Sequence, residues 1–203
     1  GDNREGIFVS QVTGLVIRNC KLFDYKHVQN SQNTSAIKTY HSDNIIIENC
    51  EIYDCSRAIY SKSNTDDLTV RYNYIHDCHE GFFAGTYGRW NDANDHTKGY
   101  YVLECSNNVL HNNLFANIKR VSIIGFPEGG GDLDGMVIYN NTIYANTGYS
   151  ASISLGSGER QQFYNNIQYG PKMDNDIGLL KWSSGDNNPE DIADGKAEFN
   201  LGL

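Results

Sequence analysis

Cationic and aromatic side chains alternate along two short segments of the chain. Lys38 and Tyr40 are separated by one residue in Ala-Ile-Lys-Thr-Tyr, as are Tyr60 and Lys62 in Ala-Ile-Tyr-Ser-Lys. Because side chains alternate between the faces of a strand, inward isoleucines would place all four on one outer face. Further polar and aromatic candidates border this face or lie in the long segment 86–101: His41, Glu80, Tyr87, Arg89, Trp90 and Lys98.

These residue types suit an acidic polysaccharide. Arg and Lys pair with carboxylates, and Trp and Tyr pack against flat sugar faces. Cleavage of a uronate by β-elimination needs a neutralised carboxylate, a base and an acid. A lysine can be the base only if burial or nearby positive charge lowers its pKa, and Lys38 and Arg89 would supply that charge beside Lys62. The proton donor would be Tyr60, Tyr40 or His41. Substrate contacts are predicted for Trp90, Tyr87, Tyr40, Lys98 and Glu80.

Two other interpretations of these residues stay open. Outward Lys and Tyr side chains also form the ordinary solvated face of a sheet. Glycoside hydrolysis would instead need two carboxylates about 5 to 9.5 Å apart. The candidate pairs are Asp54 with Asp77, and Glu80 with Asp92 or Asp95. Asp54 and Asp77 are better explained as turn residues that bond the local backbone.

The elements that must position these residues are short repeated strands. An alternating apolar stretch, then Asn or Cys, an apolar residue and an aromatic one, recurs as LVIRNCKLFD at 15–24 and IIIENCEIYDC at 45–55. Repeats of this size with an internal period of two indicate a β-solenoid. The repeat anchors, at spacings of 30, 23, 39, 29 and 24, are Leu22, Ile52, Ile75, Leu114, Ile143 and Ile167.

A second strand between most anchors completes the predicted coil. Three short strands per coil, stacked in parallel, predict an all-β, right-handed parallel β-helix of about six or seven coils. We predict one domain over 1–203, irregular from about 171, that forms part of a longer helix. The 24 Asn residues are then explained. Asn tolerates the left-handed bend between strands, and stacked amides can bond along the helix axis.

The repeats resemble the right-handed parallel β-helix superfamily, which includes pectate lyases, alginate lyases, chondroitinase B-like enzymes, glycosidases and phage tailspikes. The segment 58–63, followed by 68–73, is similar to the Lys-Ser segment of alginate lyase and chondroitinase B-like proteins. That resemblance implies Lys62 as the catalytic base. Where that group carries calcium-binding Glu residues, this chain has Arg57, Ala58 and Tyr60.

The net charge and the lengths of the apolar runs exclude some classes of binding partner. Sixteen Lys and Arg against 25 Asp and Glu give a net charge of −9, which argues against a nucleic-acid partner. No apolar run reaches the length of a membrane span. On the strength of the Lys62 segment and the cationic, aromatic face, we expect a polysaccharide partner and a location outside the cell or at its surface, with the periplasm as the alternative. No cofactor has a defined ligand set, and calcium stays open.

The five cysteines fall into repeat positions. Cys20 and Cys50 share one, Cys55 and Cys78 share another, and Cys105 has no match. Equivalent positions in neighbouring coils lie about 5 Å apart, which permits either a disulfide or packed free thiols.

The predicted fold and its cationic, aromatic face are compatible with three functions. The leading hypothesis is an extracellular lyase of an acidic glycan. The alternatives are a non-catalytic glycan-binding or structural module, as in an adhesin, tail fibre or accessory domain, and a glycoside hydrolase.

Overall fold

The computed structural model describes residues 5–26, 34–85, 105–120, 123–126, 133–155, 158, 160–170, 180–182, 196–198 and 201–202. Within them the chain forms three parallel sheets of seven strands each and no helix. Sheet A contains β1 (Glu5–Ser10), β4 (Ser35–Asp43), β7 (Arg57–Asp66), β10 (Glu80–Gly85), β13 (Ile123–Phe126), β16 (Ile153–Leu155) and β19 (Leu180–Trp182). Sheet B contains β2 (Val16–Arg18), β5 (Ile46–Glu48), β8 (Thr69–Arg71), β11 (Val109–His111), β14 (Val137–Tyr139), β17 (Gln162–Tyr164) and β20 (Lys196–Glu198). Sheet C contains β3 (Lys21–Phe23), β6 (Glu51–Tyr53), β9 (Tyr74–His76), β12 (Leu114–Ala116), β15 (Thr142–Tyr144), β18 (Ile167–Tyr169) and β21 (Leu201–Gly202).

Each coil visits the three sheets in turn. The chain passes from a strand of sheet A to one of sheet B and one of sheet C, and then returns to sheet A one coil further on. Every strand pairs in parallel with its equivalents in the neighbouring coils. The predicted fold class, a parallel β-solenoid with three short strands per coil, is therefore confirmed.

Aligned columns of apolar side chains fill the interior. In sheet A the inward column is fully buried and runs through Ile37, Ile59, Phe82, Ile123 and Ile153. Sheets B and C contribute similar columns, so in the core each apolar side chain packs on the apolar side chains of the neighbouring coils. Burial of such columns supplies the main favourable free energy of folding.

Two of the predicted repeat anchors are wrong by one residue. In β12 the buried residue is Phe115, whereas Leu114 is 38% exposed. In β18 the buried residue is Gln168, whose side chain donates to the Ala151 carbonyl at 3.0 Å, and Ile167 is exposed. Alternation alone could not choose the inward residue of β12 because Leu114 and Phe115 are both apolar.

Left-handed residues turn the chain at the corners between sheets. At the corner from sheet B to sheet C, five Asn residues and Tyr72 have φ between 53° and 57°, the Asn being Asn19, Asn49, Asn112, Asn140 and Asn165. At the corner from sheet C to sheet A, Asp54 and Asp77 have φ of 54° and 51°. Asn and Asp adopt this conformation at lower cost than most side chains. Asp54 and Asp77 are therefore turn residues, as predicted, but the side-chain partners that the structure gives them are Lys26 and His76 and not the local backbone.

A ladder of buried Asn amides follows the left-handed residues of the first corner. It consists of Asn73, Asn113, Asn141 and Asn166, one in each of four successive coils. In the first three of them, Nδ2 donates to the Oδ1 of the next Asn at 3.0 Å. In all four, Nδ2 also donates to a backbone carbonyl in the coil before its own. The backbone N–H of Cys50 joins the ladder by donating to Asn73 Oδ1. The predicted amide ladder is thus present, formed in each coil by the Asn that follows the left-handed residue.

All five cysteines are free thiols. Cys55 and Cys78 occupy equivalent places in adjacent coils, since the His79 N–H bonds the Cys55 carbonyl. A hydrogen bond from Cys78 lowers the pKa of Cys55, and that bond together with burial raises the pKa of Cys78. Burial also raises the pKa of Cys105 to about 12. These thiols pack into the solenoid wall as small side chains do.

Candidate functional site on the outer face of sheet A

The longest strands of the solenoid carry the predicted cationic and aromatic residues. Strands β4 and β7 span nine and ten residues, whereas every strand of sheets B and C spans three or fewer. Their register places Lys38 beside Tyr60 and Tyr40 beside Lys62. The structure therefore brings these four side chains together on one outer face, as the alternation predicted.

The Lys62 ammonium lies near two tyrosine rings. Its Nζ is 5.6 Å from the centre of the Tyr60 ring and 6.0 Å from that of Tyr40. Tyr60 is almost fully buried, while Tyr40 and Lys62 are half-buried. Cation–π attraction at these distances holds the ammonium over the strands rather than in bulk water. The side chain is therefore both positioned and reachable from solvent.

A β-bulge follows immediately after this group. Between Tyr40 and Ser42 the register of β4 against β7 shifts, so that His41 alone lies opposite Ser63 and Asn64. All three have positive φ, at 47°, 32° and 51°. The His41 ring meets the Tyr40 ring edge to face at 4.1 Å between centroids. Bulges and strained backbone concentrate next to functional sites, where they re-aim side chains.

Lys38 is one half of a buried ion pair. Its Nζ donates to Glu5 Oε1, and the side chains of Lys38 and Glu5 are 7% and 19% exposed. The ammonium also lies 5.7 Å from the Tyr60 ring centre. Glu5 offsets the positive charge that we expected Lys38 to lend to Lys62.

Glu80 is buried between two arginines. Its Oε2 accepts from Arg57 Nε, and its Oε1 lies 3.9 Å from Arg120 Nη1. The Arg57 guanidinium lies 4.6 Å from the Tyr60 ring centre and 4.2 Å from that of Phe83. Glu80 therefore holds this end of the face together, a role that the sequence interpretation did not assign to it.

The sequence interpretation overlooked both arginines. Arg57 was considered only as a departure from a calcium-binding pattern, and Arg120 was not considered. Arg57 and Glu80 follow Cys55 and Cys78 by two residues each, so the shared Cys position could have indicated that opposite charges pair there.

Four predicted residues lie outside the described part of the chain, namely Tyr87, Arg89, Trp90 and Lys98. Asp92 and Asp95, the predicted carboxylate partners of Glu80 for hydrolysis, lie outside it as well.

The other carboxylates considered for hydrolysis have cationic or imidazole neighbours. Asp54 Oδ2 accepts from Lys26 Nζ at 2.5 Å, and Asp77 Oδ2 lies 2.7 Å from His76 Nδ1. Asp66 was not a candidate for hydrolysis. At the end of β7, its carboxylate accepts from the Ser106 backbone N–H at 2.6 Å, and burial raises its pKa. None of the described residues form a group of three or more His, Cys, Asp or Glu that could hold a metal ion.

The outer face of sheet A thus combines a positioned lysine, two tyrosines, a histidine on a bulge and a rigid ion-paired edge.

No helix among the described residues is long and apolar enough to cross a membrane. No curated protein matches the chain. A family model described as "Right handed beta helix region" matches residues 1–188. Together with the three parallel sheets, that match shows that the chain belongs to the right-handed β-helix family.

Proposed function

We propose that the protein is an acidic-polysaccharide lyase whose substrate lies across the outer face of sheet A. The observation that carries the proposal is the position of Lys62, half-buried over Tyr40 and Tyr60 and adjacent to the bulge at His41. A polymer of this kind is met outside the cell, at its surface or in the periplasm, and we propose those locations for the protein.

The residues fit the steps of β-elimination. The Lys62 ammonium would first release a proton to solvent, and the neutral amine would then accept the ring proton adjacent to the uronate carboxylate. The electrons of that C–H bond form a ring double bond while the bond to the leaving oxygen breaks. Tyr40 or His41 would donate a proton to that oxygen, since both are more accessible than Tyr60. No water is consumed, so the product is an unsaturated sugar.

A substrate screen tests the proposal. The protein is mixed with alginate, pectate, chondroitin and neutral glycans, with and without calcium, and both ultraviolet absorbance and reducing ends are followed. We expect absorbance to rise with one uronate polymer. Reducing ends without absorbance would instead support the hydrolase alternative.

Variants of two lysines sharpen the test. Lys62→Ala should lower the rate by about 100-fold or more, the usual contribution of a general base. Lys21→Ala is the matched control, because Lys21 Nζ lies 5.2 Å from the Tyr53 ring centre on sheet C. Full activity of Lys62→Ala on a polymer that the parent cleaves would exclude Lys62 as the base.

A non-catalytic glycan-binding or structural module is the second candidate. The observation that favours it is the pairing of Lys38 with Glu5 and of Arg57 with Glu80, which makes a rigid face with two neutralised cations. A folded protein that produces neither signal in the screen would support this candidate over the lyase.

A further inference from the structure

A column of alternating charge crosses three coils where the chain enters sheet A. Arg57 pairs in register with Glu80. The Arg120 N–H donates to the His79 carbonyl at 3.0 Å, which places Arg120 beside Glu80 in the next coil. Both oxygens of the buried Glu80 carboxylate therefore face an arginine.

Lys119 and His79 form the neighbouring column. The Lys119 N–H donates to the Cys78 carbonyl at 2.8 Å, so Lys119 lies beside His79. Both side chains are exposed, and the Arg120 side chain is 61% exposed. Among the described residues that act on the charge of His79, three are cations, namely Arg57, Lys119 and Arg120, and one is a carboxylate, Glu80. This edge is therefore locally positive on a chain whose net charge is −9.

The electrostatics of His79 agree with this excess of positive charge. Partial desolvation lowers the pKa of His79, and the charges of Arg120, Lys119 and Arg57 lower it further. Glu80 is the group that opposes them. A negative charge placed here would meet two exposed cations whose facing carboxylate is already bonded to Arg57.

This edge belongs to the same face as Lys62 but lies at its other end. Arg57 and Lys62 are five residues apart on β7, which corresponds to about 16 Å along the strand. The rings of Tyr60 and Phe83 lie between them in the register. A polymer laid along the strands, over these two rings, could therefore reach both ends.

We propose that Lys119, Arg120 and His79 bind an anionic group, a carboxylate or sulfate, of the polysaccharide at the edge of sheet A opposite Lys62. Arg offers a planar fork for such groups, and Lys offers a compact charge. The choice of a polysaccharide as the carrier of that anion rests on the proposed function, whereas the anion site itself rests on the geometry.

Binding to charged and uncharged forms of one polymer tests the site. Affinity for dextran sulfate and for dextran is measured by titration calorimetry at low salt, using the parent and Lys119→Ala/Arg120→Ala. We expect the double variant to bind dextran sulfate about tenfold more weakly or worse, because two charge-assisted contacts are lost. Arg160→Ala is the matched control, since Arg160 is 60% exposed and lies 3.4 Å from Asp134. It should stay within about twofold of the parent.

A second measurement needs no variant. Inorganic sulfate is added to the parent while the ring resonances of His79 and His111 are followed by NMR over a pH series. We expect sulfate to raise the pKa of His79 and to leave the ring resonances of His111, on sheet B, unperturbed. Equal dextran sulfate affinity in the parent and the double variant, or a sulfate response at His111 but not His79, would overturn the site.

The outcomes separate this site from the proposed function. A parent that cleaves no uronate polymer, but whose dextran sulfate affinity depends on Lys119 and Arg120, refutes the lyase and supports the anion site. A lyase that depends on Lys62, with polyanion binding indifferent to Lys119 and Arg120, refutes the anion site and supports the lyase.

Discussion

The corner between sheets B and C and the outer face of sheet A follow opposite rules. At the corner the same residue type returns in coil after coil, and neutral amides bond one another through the wall. On the face, the described rows that carry Lys38 and Lys62 do not repeat. One row reads Lys38, Tyr60 and Phe83 in successive coils, and the polar groups there are held by buried ion pairs.

The difference follows from what each region has to satisfy. An amide ladder works only if each coil offers the same donor and acceptor at the same height, so the sequence there must repeat. An outer face carries no such requirement once its inward column is filled. Residues that differ from coil to coil on this face can then be selected for ligand binding. We therefore expect the binding site at positions where the sequence does not repeat.

The largest expected effect comes from removing the charge of Glu80. Glu80→Gln leaves the buried Arg57 without its carboxylate, and breaking a buried ion pair in this way costs about 3 kcal/mol or more. Denaturant unfolding of the variant measures the loss. The matched control is Glu51→Gln, whose partner Lys21 lies 3.0 Å away at an exposed position. That variant should lose far less stability, because an exposed ion pair contributes little. Equal losses would show that the face is not stabilised by its buried pairs.

The next prediction compares the losses of stability when either of two adjacent asparagines, Asn112 or Asn113, is replaced by Ala. Asn113→Ala removes the acceptor of two Asn73 donors and the donor to Val70 and Asn141, so buried polar groups lose their partners. We expect a loss of about 2 to 3 kcal/mol in the free energy of unfolding. Asn112→Ala, at an exposed left-handed corner, should cost about 1 kcal/mol. A larger loss for Asn112→Ala would mean that the bend, and not the ladder, sets the stability of the corner.

The smallest effect is a pH dependence at the edge of the face. Because the pKa of His79 is lowered in the folded protein, the unfolded chain binds a proton more readily. Stability should therefore fall as the pH drops from above about 6.5 through the lower pKa of the folded state. Melting temperatures across this range should show a weaker decline for His79→Gln than for the parent. His111→Gln, on sheet B, is the control, and a decline unchanged in both variants would contradict the assignment.

Much of the fold could be predicted because one short pattern returns with small variations. The period of two identified strands, and the pairs such as Asn112 and Asn113 indicated both a bend and a ladder. The inward residue was predicted correctly at most anchors, such as Ile52. It was wrong at Leu114, where two apolar residues stand side by side, and at Ile167, where the buried residue is the polar Gln168.

The candidate site was harder to predict because it depends on how neighbouring coils align. Alternation placed Lys62 and Tyr40 on one face, and the register confirmed it. The bulge at His41 arises because β7 has one residue more than β4 between paired positions, which no single strand reveals. The pairing of Lys38 with Glu5 joins residues 33 positions apart, and it likewise becomes visible only once the first two coils are stacked.

Because of the amide ladder, the spacing between coils does not depend on the number of residues in the loops. Successive ladder residues are 40, 28 and 25 positions apart, yet every amide link measures 3.0 Å. A coil can thus gain or lose many residues between its strands without changing the height at which it meets its neighbours. Evolution could lengthen a loop, or duplicate a whole coil that carries Asn at this position, and the existing stack would accept it.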